Sequence, residues 1–178
     1  QAADFACEAR GQHACRCGMA GEPGFTCARG PRCVTDYQAR ISGPLLDRID
    51  IRIDVPAVSA TDLIRPVASE PSAAVAARVA RARLAQQERY VSAGFPAIRT
   101  NARCTTTLIE KYAEPDASGL QLLRDAAERL KFSARGYHRI LKVARTLADL
   151  DGTQTVGRIH VAEAVSYRIA GERLRTAA

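Results

Sequence analysis

Tryptophan is absent from the 178 residues, methionine occurs once, and aromatic residues make up only 5%. So thin an aromatic set offers no row of platforms for stacked bases, which argues against a module that reads single strands by stacking. Long apolar runs are also missing. No stretch approaches the roughly 18 residues of a membrane span, and no signal-peptide pattern opens the chain, so no membrane partner is expected. A phosphate-binding loop is lacking too. Gly152 to Ile159 has its outline, but without the lysine that reaches the β- and γ-phosphates or the hydroxyl that holds Mg²⁺. It follows a helical pattern rather than a strand, and it reads as a helix–helix turn. No apolar strand ending in Asp-Glu occurs.

What is present is basic and rich in alanine. The formal charge is +7, and 23 of the 26 basic residues are arginine, which favours an anionic partner such as phosphate or nucleic acid. A hydrophobic share of 47% supports one ordinary domain or two small pieces. The chain opens at Gln1 rather than Met and reads as an excised piece of a longer, cytoplasmic protein. In that compartment six cysteines point to metal or free thiols before disulfides.

Five of the six lie within residues 1–38, a stretch with no helical or strand period. Cys15, Cys17, Cys27 and Cys33 offer four thiolates, enough for a tetrahedral zinc in a loop with little core of its own. Cys7 and His13 are possible substitutes for any one ligand. The alternative is a reduced loop of unrelated thiols.

Residues 40–55 have two halves. Ile41-Ser42-Gly43-Pro44 is a turn in which Pro44 suits the first position of a short helix, and Leu45-Leu46 gives it an apolar foot. From Ile49 the chain alternates, with Ile49, Ile51, Ile53 and Val55 opposite Asp50, Arg52 and Asp54, which predicts a half-buried strand. Arg48 falls at the junction, a cation held at a surface by rigid structure.

Residues 57–71 lose all periodicity and contain two prolines, as a linker does. Beyond them helices are expected over Ser72–Tyr90, with Val75, Val79, Ala82 and Leu84 loosely on one side, and over Thr107–Ala113. Ser118 and Gln121 have the form of a capping box for the next helix, with Leu120, Leu123, Ala127 and Leu130 inward. Ser133 caps another, with Tyr137, Ile140, Leu141, Ala144, Leu147 and Ala148 inward and Gly152 at its end. Ile159–Ile169 closes an antiparallel bundle.

Arg135 stands in the first turn of the helix capped by Ser133, against the helix dipole. A cation there makes sense if an anion arrives to share it with the free N–H groups; otherwise it pairs with Asp149, Asp151 or a neighbouring helix. Arg135, Arg139, Lys142 and Arg145 form an outer face able to touch a phosphate backbone, though such a face is more often simply solvated. His138 reads as structural.

Two segments carry a family resemblance. Gly43-Pro44-Leu45-Leu46-Asp47-Arg48-Ile49-Asp50 closely resembles the G-P-L-L-D-R-[IV]-D segment of the magnesium-chelatase-like AAA+ ATPases of the ComM/YifB group. Phe132 to Leu150 is similar, almost residue for residue, to that group's L-S-A-R-[AG]-Y-H-R-I-L-[RK]-V-A-R-T-I-A-D-L. Cys15, Cys17, Gly18, Cys27, Pro31 and Tyr37 also fall at the family's distances, although Arg29 replaces its fourth cysteine and His13 its sensor-1 asparagine.

The resemblance implies a mainly α fold: a helical bundle of the AAA+ lid, magnesium-chelatase C-terminal type, preceded by a Cys-rich loop and a strand remnant of the α/β core. Residues 1–56 would end the ATPase core, 57–71 link, and 72–178 form the lid. It further implies that Arg48 is an arginine finger and Arg135 a sensor-2 residue that binds nucleotide. The parent would use ATP and Mg²⁺ as a hexameric ring acting on DNA in branch migration or recombination. Lacking a phosphate cradle, this chain should be inactive alone. A magnesium chelatase ATPase subunit, or a non-catalytic zinc-stabilised helical module that binds DNA or protein, are the alternatives.

Overall fold

Ser133 starts the helix on which the rest is packed. Its hydroxyl oxygen accepts from the Gly136 amide at 3.0 Å, satisfying a donor that the first turn leaves unpaired. In the computed structural model the described residues are 70–169 without a break, 48–53, residue 64, and, nearer the N-terminus, 27, 29–30 and 32–40. They divide into two compact units, with described residues 27–40 in the first and 48–169 in the second.

In the first unit α1 spans Arg32–Gln38. It is entered by a turn in which Gly30, at φ 71°, donates to the Cys27 carbonyl at 2.9 Å. The left-handed value explains glycine at that position.

The second unit is a helical bundle. It comprises α2 (Ser72–Ser92), a 3-10 turn (Asn101–Arg103), α3 (Thr106–Tyr112), α4 (Ala117–Leu130), α5 (Ala134–Leu150) and α6 (Arg158–Ile169). Helix α5 packs against α2, α3, α6 and the 3-10 turn, and α4 packs against α6. Steps of three and four bring Ile140, Leu141, Ala144 and Ala148 of α5 into the core with Leu123 of α4 and Val161, Ala164 and Val165 of α6. Tyr137 and Leu147 pack at its margin. The mainly α architecture expected from the sequence is the one observed.

The loops before α4 and α6 are stitched by a single parallel bridge between Pro115 and Val156, and the Asp116 amide donates to the Val156 carbonyl at 2.9 Å. Glycine at 119 permits this approach, since a Cβ there would meet Pro115 Cβ at 3.0 Å and the Arg158 amide at 3.3 Å. The Gly152–Val156 stretch is the turn expected, with Gly152 at φ 71°.

Three local readings change. Asp116, not Ser118, caps α4: its carboxylate accepts from the Gly119 amide at 2.6 Å and from the Ser118 hydroxyl at 2.8 Å, while Gln121 turns to Asp125. Those bonds hold the Asp116 carboxyl below its usual range, the Gly119 amide first and the Ser118 hydroxyl second. On α2, only Ala82 of the expected side is buried. Val75, Val79 and Leu84 are exposed, and Gln86 and Tyr90 supply the inner contacts.

The third concerns residues 49–53, which form no strand. A strand requires a ladder, and no partner strand lies beside them among the described residues; the Arg52 amide donates instead to the Tyr167 carbonyl of a helix at 3.1 Å. Ile51 and Ile53 are 51% and 66% exposed, the opposite of the expected buried face. The Ile41–Asp47 turn, Asp54–Val55 and most of the 57–71 linker lie outside the described residues.

Candidate functional site

Helix α5 opens at exposed Ser133, Ala134 and Arg135, and the sequence places four basic or titratable side chains along its first turns. Arg135, His138, Arg139 and Lys142 line a hollow of about 530 Å³ together with Asp50, Ala102, Thr106 and Ala134. Arg135, in the first turn, is exposed and has no ionic or hydrogen-bonding partner among the described residues. The pairings considered for it from sequence are taken by others. Asp149 binds Arg89 and Arg145, and Asp151 binds His160 at 3.1 Å.

Its neighbours are engaged. Arg139 is paired with Asp50, a contact across 89 residues of sequence. Lys142 donates to the Ala102 carbonyl at 2.9 Å, and burial pushes its ammonium below the usual lysine range, with Cys104 and Asp50 opposing the shift. His138 bridges the Ala134 carbonyl and Glu110, each at 2.7 Å, which bears out its structural reading. Three cations and one carboxylate thus stand on the walls of the hollow, and Arg135 is the cation without a partner among the described residues.

Arg145 was expected on this face and is not there. It is 1% exposed, with Nε 3.1 Å from Asp149 and its two terminal nitrogens each 2.5 Å from the Thr153 and Gln154 carbonyls. The physical reason is angular. Ten residues at about 100° each set Arg145 some 80° round the helix from Arg135, at the margin of the core face. The signal was available: an aspartate four residues on, and alanines at 144 and 148 that leave room for a guanidinium.

Around Asp149 a buried polar cluster gathers that sequence reading missed. Asn101 donates to Asp149 at 2.8 Å and to Thr146 at 3.0 Å, and accepts from the Tyr90 hydroxyl at 2.8 Å. Arg89 reaches the same carboxylate from α2. Burial lowers the Arg89 pKa, but the Asp149 hydrogen bond and charge outweigh it and leave it raised; for Arg145 burial prevails and the shift is downward. This cluster fastens α2 and the 3-10 turn to α5 and has no face toward the hollow.

Arg48 is exposed and does not line the hollow, but the residues after it are fixed. Ile49 offers its carbonyl to Arg168 of α6 at 3.5 Å, and Asp50 reaches Arg139 of α5. Of the proposed zinc ligands, Cys15 and Cys17 lie outside the described residues, as do the substitutes Cys7 and His13. Cys27 and Cys33 flank the Gly30 turn. Cys33 lines a smaller hollow of about 210 Å³ with Arg29, Arg32, Asp36, Tyr37 and Arg40. Among the described residues no three metal-ligating side chains cluster, and no helix is long and apolar enough to cross a membrane.

Comparison with known proteins agrees with this layout. The family model for the C-terminal part of the magnesium chelatase subunit ChlI matches residues 69–168, and the model for the ChlI subunit matches residues 5–63. Competence protein ComM of Haemophilus influenzae is 38% identical over 139 residues, 78% of this chain and 26% of that protein. An uncharacterized protein of Mycobacterium tuberculosis is 37% identical over 164 residues, 89% of this chain and 30% of that protein. Uncharacterized protein YifB of Salmonella typhimurium is 35% identical over 139 residues, again 78% of this chain and 26% of the relative. The chain thus spans between 26% and 30% of the length of these relatives. Two family models matched in order, and one of them over more than half of the residues, establish that the chain belongs to the magnesium-chelatase-like family that includes ComM and YifB.

Proposed function

We propose that this chain is the C-terminal part of a ComM-like AAA+ ATPase, with Arg135 as the lid residue that binds nucleotide phosphate. The observation that carries this reading is the exposed, uncommitted Arg135 at the capped N-terminus of α5, in a hollow walled by cations. An anion placed there is met by free amides and a guanidinium together. Arg48, exposed on a segment whose following residues are held by α5 and α6, serves as an arginine finger toward a neighbouring subunit.

The reaction is hydrolysis of ATP, in which water attacks the γ-phosphorus and ADP leaves; Mg²⁺ would accompany the nucleotide and supply charge neutralisation to its phosphates. Arg48 stabilises charge that develops on the γ-phosphoryl oxygens as the bond to the leaving oxygen breaks. Arg135 holds the phosphates from the lid. The parent assembles as a ring, a hexamer by family analogy, and spends the hydrolysis on moving along DNA. The +7 charge is in keeping with a polyanionic partner. The four thiolates of Cys15, Cys17, Cys27 and Cys33 are proposed to hold one zinc.

The test uses the full-length parent. Arg48→Ala is expected to lower turnover by roughly 10³- to 10⁵-fold while ATP binding persists, the range set by other arginine fingers. Mixing it with subunits that lack the phosphate-loop lysine should restore part of the activity, because intact half-sites reform at mixed interfaces. A stable, fully active Arg48→Ala enzyme overturns the assignment.

A further inference from the structure

Asp50 and Arg139 form an ion pair that contributes little stability. The two side chains are 48% and 27% exposed, and pairs so open to solvent contribute about 0–1 kcal/mol. The pair nevertheless joins the two ends of the proposed machinery. Asp50 stands two residues after Arg48, and Arg139 stands one helical turn after Arg135 on the same face of α5. It is also not alone. The Arg52 amide donates to the Tyr167 carbonyl at 3.1 Å, and Arg168 reaches the Ile49 carbonyl at 3.5 Å, so the segment after Arg48 is tied to α6 as well as to α5.

Among the described residues this segment has no ladder to hold it, and its apolar side chains Ile51 and Ile53 are exposed. Polar ties such as these therefore help to set its path. Of them, only the Asp50–Arg139 pair touches the hollow in which Arg135 stands. An anion drawn to Arg135 also meets Arg139 four residues on, and competes with Asp50 for that guanidinium.

Resting on the reading of Arg48 and Arg135 given above, we infer that Asp50 is a positioning residue that couples them: through Arg139 it sets the path of the Arg48 segment according to whether phosphate occupies the hollow at Arg135. Asp50 touches neither substrate nor reacting atoms. It conveys the state of one nucleotide site to the guanidinium that serves another, and no covalent step is involved.

The experiment compares four variants of the full-length parent: Asp50→Asn, Arg139→Gln, the two combined, and the charge exchange Asp50→Arg with Arg139→Asp. Turnover, ATP affinity and melting temperature are measured on each preparation. Either single variant should lower kcat roughly 10- to 100-fold, the scale of a misplacement of about 1 Å. ATP affinity should hold or tighten in Asp50→Asn, which removes the competing carboxylate, and weaken in Arg139→Gln, which removes a guanidinium the phosphate meets. The combined variant should be no worse than either single one, as for two residues acting through one contact. The exchange should recover turnover above both singles. Unimpaired turnover, losses that multiply, an exchange no better than the singles, or a fall in kcat that merely tracks loss of folded protein each overturns the inference. Arg48→Ala measured alongside separates the two levels. If it too is fully active, the finger assignment has failed; if it is inactive while Asp50→Asn is not, only the coupling has failed.

Discussion

Arg145 closes over Asp149, four residues along the same helix, with Nε 3.1 Å and a terminal nitrogen 2.9 Å from one carboxylate oxygen, and both side chains are at most 2% exposed. Arg89 reaches that carboxylate from α2, so one buried acid serves two guanidinium groups. Each remaining arginine donor needs an acceptor, and the Thr153 and Gln154 carbonyls supply them for Arg145. The pair thereby shapes the turn into α6 as well as the join between α2 and α5.

Asp149→Ala should cost about 3–5 kcal/mol, because it strands two arginines in the interior with no countercharge. Chemical denaturation of the wild type and the variant checks this. Arg145→Ala should likewise lower the melting temperature, yet leave polyphosphate affinity of the folded protein unchanged, since the side chain has no access to the hollow.

Tyr90 makes the protein sensitive to alkali. Burial, and next the Cys104 thiol, raise its hydroxyl well above the usual tyrosine value. A folded pKa above the unfolded one gives stability that is full below about pH 10 and is lost as pH climbs further. Stability should therefore fall above about pH 10, and Tyr90→Phe should flatten that decline. The same substitution removes the bond to Asn101 and should cost about 1 kcal/mol at neutral pH. Denaturation curves at several pH values separate the two effects.

His160 should be a fixed neutral tautomer. Its Nδ1 accepts from the Gly157 amide at 2.9 Å, so the proton resides on Nε2, which faces Asp151 at 3.1 Å. Nitrogen NMR of the imidazole should show an unprotonated Nδ1 and a protonated Nε2; the reverse pattern would contradict this geometry.

Metal analysis of the parent purified without chelator should find one zinc per chain, and Cys33→Ser should reduce it. A content well below one equivalent counts against ligation by Cys15, Cys17, Cys27 and Cys33.

Long, strongly periodic segments were legible in the sequence. The 3.6-residue period of α5, its Ser133 cap and the Gly152 stop are where the pattern put them, because local chemistry and tertiary packing agree there. Asp116 was overlooked as a cap because Ser118 with Gln121 matches a familiar motif. In the fold that serine donates to the true cap. The alternation of Ile49, Ile51 and Ile53 signals a strand only where partner strands exist to bury one face, and none lies among the described residues. The site was half legible. Arg135 could be singled out by its place against the helix dipole, whereas the tie between Asp50 and Arg139 joins residues 89 apart, which no local pattern encodes.

Helix α2 is gripped at Ala82, Gln86 and Tyr90, while residues 72–81 bury nothing. At 1.5 Å per residue, about 15 Å of helix runs past the last inner contact. Mechanically this is an arm whose base is its last inner contact, Ala82. A tilt of the bundle by about 10° would carry the Ser72 end through roughly 3 Å relative to Ala82.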